Sequence, residues 1–190
     1  KHRVLAKLAT GPLVEGAADR VPVWWDVTLD GEPDLLLCTD GEIDRVYFDE
    51  SGQLAVTEVE LLTGSIGGPA FAVLDIDDDG AEELLATGFH AALFKVVAPD
   101  QIASFPVPLP SMLSRSVGDM AVGDLNRDGL TDIYVAVARG GSERLNFFGQ
   151  ADFVLMNRGG GRFERVSRPN RDGLTLGVML VDLDADGRLD

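Results

Sequence analysis

The chain has 190 residues, 45% of them hydrophobic, which is enough apolar material for a packed core and excludes a disordered polymer. Its formal net charge is −16, from 32 acidic and 16 basic residues, which excludes a nucleic-acid phosphate backbone or an anionic membrane as partner. No apolar run approaches the ~18 residues of a membrane span, and the single cysteine, Cys38, excludes an intrachain disulfide.

Residues 1–20 open with Arg3-Val-Leu-Ala-Lys-Leu-Ala9, which reads as the outer strand of a preceding unit followed by a connector. The next segment, 21–67, sets out a grammar that recurs. The apolar stretch Val21–Trp25 leads into the acidic loop Asp26-Val-Thr-Leu-Asp-Gly-Glu-Pro-Asp34, and the apolar run Leu35–Cys38 follows. Such short unbroken apolar runs suit strands buried on both faces. Cys38 reads as a small buried hydrophobe. Trp24 and Trp25 are adjacent and so point to opposite faces of a strand. Packing between neighbouring units is expected of both, with carbohydrate stacking the alternative for one at the rim. Two more strands are predicted at Arg45–Phe48 and Leu54–Leu61, the second alternating at Glu58 and Glu60 as a half-open edge does.

Segment 68–116 repeats the pattern. Ala70–Leu74 leads into Asp75-Ile-Asp-Asp-Asp-Gly-Ala-Glu-Glu83, Leu84–Ala86 follows, and Ala92–Val97 and Gln101–Val107 complete four strands. The run Pro106-Val-Pro-Leu-Pro110 reads as an extended connector. His90 falls at a turn and reads as a loop histidine.

Segment 117–168 holds Met120–Gly123, the loop Asp124-Leu-Asn-Arg-Asp-Gly-Leu-Thr-Asp132, and Ile133–Val137. It ends with a hairpin of Phe153–Met156 and Arg162–Val166 across Asn157-Arg-Gly-Gly-Gly161. Glycine and asparagine there supply the positive φ that a hairpin turn needs. The connection Arg139–Gln150 is longer than its counterparts and carries two arginines and the pair Phe147-Phe148, which makes it the best candidate for a partner surface. Segment 169–190 contains Leu174–Val181 and the loop Asp182-Leu-Asp-Ala-Asp-Gly-Arg-Leu-Asp190.

The four loops start 49, 49 and 58 residues apart. Four predicted strands per period, with no helical pattern, define an all-β fold: a β-propeller of four-stranded antiparallel blades. About three and a half blades are present, an incomplete piece for a closed ring. The chain begins at Lys1 without a signal-peptide pattern and stops inside a repeat, so a fragment of a longer protein is expected, or a second chain that closes the ring.

Each loop places oxygen donors at positions 1, 3, 5 and 9 around a glycine at position 6. These are Asp26, Thr28, Asp30 and Asp34; Asp75, Asp77, Asp79 and Glu83; Asp124, Asn126, Asp128 and Asp132; and Asp182, Asp184, Asp186 and Asp190. Two like charges about 4 Å apart repel by roughly 4 kcal/mol at an effective dielectric near 20. A divalent cation reverses that sign, and four of them would halve the net charge of −16. Oxygen-only donors exclude zinc and copper, and three or four carboxylates with a backbone carbonyl suit Ca²⁺ better than Mg²⁺. That carbonyl is expected from position 7, at Glu32, Ala81, Leu130 and Arg188, whose side chains are unrelated. An EF-hand needs glutamate at position 12, where Leu37, Ala86 and Val135 stand in apolar runs. The first loop, with Thr28 and Pro33, is expected to bind weakest.

The stretches DLNRDGLTDIYVA, VLDIDDDGAEELLATG and LVDLDADGRLD resemble the FG-GAP/VCBS repeats of integrin-α-like β-propellers. The hairpin Val154–Phe163 is similar to the LNxGxGxF hairpin of such repeats in bacterial secreted proteins and the CRTAC/ASPIC-UnbV group. The resemblance implies Ca²⁺ between the first and second strands of a blade. It also implies an extracellular, cell-surface or periplasmic setting and an interaction role towards a protein or carbohydrate ligand. The alternative is a carbohydrate-active lyase or hydrolase, for which Lys95, Tyr47, His90 and Tyr134 are the candidate bases.

Overall fold

The computed structural model of the chain describes residues 21–38, 42–48, 51–63, 70–87, 91–105, 117–137, 151–167, 175 and 177–189. The expectations for residues 1–20, the Pro106–Pro110 run, His90 and Arg139–Gln150 lie outside these. Among the described residues there are thirteen strands and no helix. None of the chain's described elements is a helix long and apolar enough to cross a membrane.

The first sheet is an antiparallel meander of β1 (Val21–Trp25), β2 (Asp34–Cys38), β3 (Ile43–Phe48) and β4 (Leu54–Glu58). The third is a meander of β10 (Val117–Gly123), β11 (Asp132–Val137), β12 (Phe153–Asn157) and β13 (Phe163–Ser167). The second contains β6 (Ala70–Leu74), β7 (Glu83–Thr87), β8 (Ala92–Ala98) and β9 (Gln101–Phe105), and it gains a fifth strand, β5 (Glu60–Thr63).

That fifth strand corrects the sequence reading. Leu54–Leu61 is not one edge strand: it breaks at Val59, whose side chain is buried and whose N–H donates to the Ile43 carbonyl at 2.8 Å. Beyond the break the chain leaves the first sheet. Glu60 N–H donates to the Asp100 carbonyl at 2.8 Å, and β5 runs parallel to β9. An alternating Glu-Val-Glu-Leu pattern fits either sheet's edge, so the switch of partner has no signature in periodicity.

The strands that lead into the loops lie side by side, with β6 touching both β1 and β10. One apolar layer fills the space between the first and second sheets, including Trp25, Val27, Leu36, Cys38, Phe71, Leu84 and Phe94. Another, including Leu74, Ile76, Leu85, Ile133, Val135 and Leu155, fills that between the second and third. Every residue of β7 and β11 is buried, as strands covered on both faces must be. In β2 burial alternates. Among the described residues the sheets form an open stack of repeated antiparallel units, the arrangement of propeller blades without a closed ring.

The two tryptophans part company for the same reason. Trp25 is 1% exposed in the first inter-sheet layer, while Trp24 is 53% exposed on the opposite face. The expectation that both pack between units therefore holds only for Trp25. Burying ~200 Å² of indole at ~25 cal/mol/Å² gives an upper figure of about 5 kcal/mol. Its Nε1–H also donates to the Glu82 carbonyl at 3.0 Å, which fixes the second loop against the first sheet.

Leu174–Val181 is a further departure. Its described part is not a strand. Thr175 N–H donates to the Val137 carbonyl at 3.4 Å and Val178 N–H to Asp119 Oδ2 at 2.9 Å. The segment docks on the third sheet through one backbone and one side-chain acceptor instead of a strand ladder.

Candidate metal centre

The four acidic loops share one backbone conformation. Position 6 is glycine at φ between 79° and 88°, at Gly31, Gly80, Gly129 and Gly187. Position 4 is also left-handed, at Leu29 (60°), Asp78 (62°), Arg127 (66°) and Ala185 (59°). A left-handed non-glycine residue costs about 1–2 kcal/mol, so something local must hold it. The position 1 carboxylate does so. Asp26, Asp75, Asp124 and Asp182 each accept the N–H groups of positions 5 and 6, at 2.8 to 3.2 Å.

Positions 5 and 9 complete the loop. Asp30, Asp79, Asp128 and Asp186 accept the N–H of Glu32, Ala81, Leu130 and Arg188 at 2.8 to 3.0 Å. Asp34, Glu83 and Asp132 reach back to the N–H of Val27, Ile76 and Leu125 at 2.9 to 3.1 Å. Asp190 lies outside the described residues. The aspartate spacing thus shapes the turn before any ion is considered.

The loops differ in what remains for a cation. Asp75, Asp77 and Glu83 bring carboxylate oxygens within 4.8 Å of one another, and so do Asp182, Asp184 and Asp186. The first and third loops form no such trio among the described residues. In the first, the Thr28 hydroxyl donates to Asp34 Oδ2 at 3.1 Å, and Arg45 Nη1 stands 3.8 Å from Asp34 Oδ1. In the third, Asn126 Nδ2 donates to Asp128 Oδ2 at 2.9 Å, while Asp132 Oδ1 turns to the Asn157 N–H at 2.8 Å.

The titration tendencies follow these contacts. Burial pushes the Asp132 carboxyl above its usual range despite the N–H groups of Asn157 and Leu125. Burial also raises Glu83, although Lys95 opposes it. The exposed Asp79 is held low, first by its hydrogen bond from Lys95, and Asp128 first by the Leu130 N–H.

Lys95 was legible only as a candidate base. In the structure its Nζ sits in the second loop, 3.0 Å from Asp77 Oδ2, 2.8 Å from Asp79 Oδ2 and 2.8 Å from Glu83 Oε1. Burial alone would lower its pKa, but the three carboxylates outweigh that and raise it. The other described candidates lie on different sheets. Tyr47 lies under the Arg45 guanidinium, 4.7 Å from ring centroid to charge. Tyr134 donates to the buried Asp152 at 3.0 Å.

Neighbouring repeats touch through their loops. Arg127 Nη2 donates to the Gly187 carbonyl at 2.8 Å, joining the third loop to the fourth. Asp78 Oδ2 accepts the Gly160 N–H at 3.3 Å, joining the second loop to the third sheet's hairpin.

Stacked β-sheets, each with an acidic loop of fixed geometry joining its lead-in strand to the next, define a repeat protein with candidate sites for hard cations. Residues 124–190, from the third loop through the fourth, match the FG-GAP-like repeat family. No curated protein matches the sequence.

Proposed function

We propose that the chain is a calcium-binding β-propeller interaction module of the FG-GAP/VCBS type, close to the CRTAC/ASPIC-UnbV kind of repeat. The observation that carries this is the convergence of three carboxylates in the second and fourth loops on a shared turn geometry. Their donor set is all oxygen and strongly anionic, which fits Ca²⁺. Asp75, Asp77 and Glu83, and Asp182, Asp184 and Asp186, would hold the ions. A bound ion there supplies positive charge that pins the joint between a lead-in strand and the strand after it.

The calcium role is structural, and the module serves adhesion, surface assembly or ligand binding outside the cell or in the periplasm. A protein or carbohydrate partner is the proposed ligand, with Arg139–Gln150 the proposed contact loop. A non-catalytic role is supported by the separate placement of Lys95, Tyr47 and Tyr134, each engaged by its own partner. A raised pKa also keeps Lys95 protonated, which suits a counter-ion and not a base.

Thermal melts with calcium and with a chelator test the reading. Calcium should add RT ln(1 + [L]/Kd) of stability, about 2.7 kcal/mol at a hundredfold excess over Kd for one site, and raise the midpoint accordingly. An unchanged midpoint, with no heat of calcium binding, refutes it.

A further inference from the structure

We propose that the Lys95 ammonium is the resident cation of the second loop and sets that loop's affinity for divalent ions. The proposal rests on the calcium reading and divides the loops by what neutralises them. An ammonium has three donors, and three carboxylates meet this one: Asp77, Asp79 and Glu83, at 3.0, 2.8 and 2.8 Å. Two of them, Asp77 and Glu83, belong to the trio that would take a divalent ion. The lysine and the ion therefore compete for the same oxygens.

Strand register shows that the lysine is particular to this loop. Leu84 pairs with Phe94, so Lys95 on β8 stands beside Glu83, the ninth position of the second loop. The same rule applied to Leu35 and Val46 places Tyr47 beside Asp34. Applied to Ile133 and Leu155, it places Met156 beside Asp132. Neither is a cation. The Lys95 stem is held by the sheet, and its side chain is 20% exposed. Glu83 is fully buried, and its Oε1 faces the ammonium without a well-directed hydrogen bond from any other group. A buried carboxylate needs a counter-charge, and the chain provides one covalently.

The loop richest in carboxylates is then not the tightest calcium site. A divalent ion must expel the ammonium before it gains Asp77 and Glu83, whereas among the described residues the fourth loop has Arg188, largely exposed at 3.4 Å from Asp186, and Arg127, whose Nη2 donates to the Gly187 carbonyl and not to a carboxylate of the trio.

Calcium calorimetry on the full chain and on Lys95→Met tests this. The variant should bind one more calcium ion than the unmodified chain, or bind at the second loop at least tenfold tighter. Lys95→Arg, which keeps the charge, should behave as the unmodified chain. Equal stoichiometry and affinity in Lys95→Met and the unmodified chain, with calcium bound elsewhere, overturns the Lys95 assignment and leaves the calcium reading standing. Absence of calcium binding in every protein overturns both. A measurement on the unmodified chain removes dependence on the variant's folding. The NMR signal of the Lys95 ammonium should persist when calcium saturates the other sites. Its loss in step with that saturation overturns the proposal.

Discussion

Replacing Arg45 with methionine should loosen the joint between the first two sheets while leaving each sheet's ladder intact. The Arg45 guanidinium grips Asp100 with both arms, Nε to Oδ1 at 2.6 Å and Nη2 to Oδ2 at 3.0 Å. Charged hydrogen bonds contribute roughly 1.5–3 kcal/mol each when shielded. Here the Asp100 side chain is 34% exposed, so solvent reduces the pair to about 1.5 kcal/mol in total. The contact with the Tyr47 ring adds about 0.5 kcal/mol. The loss should therefore be about 2 kcal/mol, or a fall of roughly 4–8 °C in Tm for a chain of this size.

Urea unfolding measures the loss, and a double-mutant cycle isolates the pair. Asp100 sits at φ 58°, so its replacement must tolerate the left-handed region, and Asn does so where Ala would add strain. Arg45→Met and Asp100→Asn should couple by about 1 kcal/mol. A coupling indistinguishable from zero would show that the turn is held by its backbone alone, through Asp100 N–H to Val27 O and Glu60 N–H to Asp100 O.

Further expectations follow from two buried groups. The Cys38 thiol is fully buried and its pKa is pushed up to about 12 by that burial, so native protein at pH 8 should resist alkylation that proceeds at once in denaturant. The folded thiol keeps its proton where the unfolded one loses it, so Cys38 withdraws stability as pH climbs from 9.0 to about 12. Urea midpoints across that range in Cys38→Ala and the unmodified chain check the difference, and identical slopes would contradict it. Asp152 accepts from Tyr134 Oη, Val137 N and Thr175 Oγ1 at 2.9 to 3.0 Å, so Asp152→Ala should cost about 3 kcal/mol by orphaning a buried N–H. Asp152→Asn should cost less, and equal stability of all three proteins would refute the argument.

The lead-in strands were legible because local pattern decides them. Val21–Trp25 and Ala70–Leu74 are apolar runs that stop at an aspartate, and the strands have those limits. The acidic turns were legible too, since glycine at position 6 marks the left-handed backbone. The second left-handed position was not, because Leu29, Arg127 and Ala185 share no side-chain chemistry. That conformation is imposed from outside by the first aspartate. The role of Lys95 was hidden for a different reason. It lies twelve positions beyond Glu83, and only the register of β7 against β8 brings them together. The exposure of Trp24 likewise depends on which faces of a sheet have neighbours, which alternation alone does not state.

The passage of β5 onto the outer edge of the second sheet has a consequence for how the molecule comes apart. In a stack of self-contained units, each could fray alone and stability would be a sum of unit and interface terms. Here the backbone of one repeat supplies hydrogen bonds to the ladder of the next, through β5 and β9. Opening the first repeat therefore strips the second of its edge, and the two should exchange their amide protons as one cooperative block. A deletion that removes residues 21–58 but spares β5 would cut through that block instead of between units.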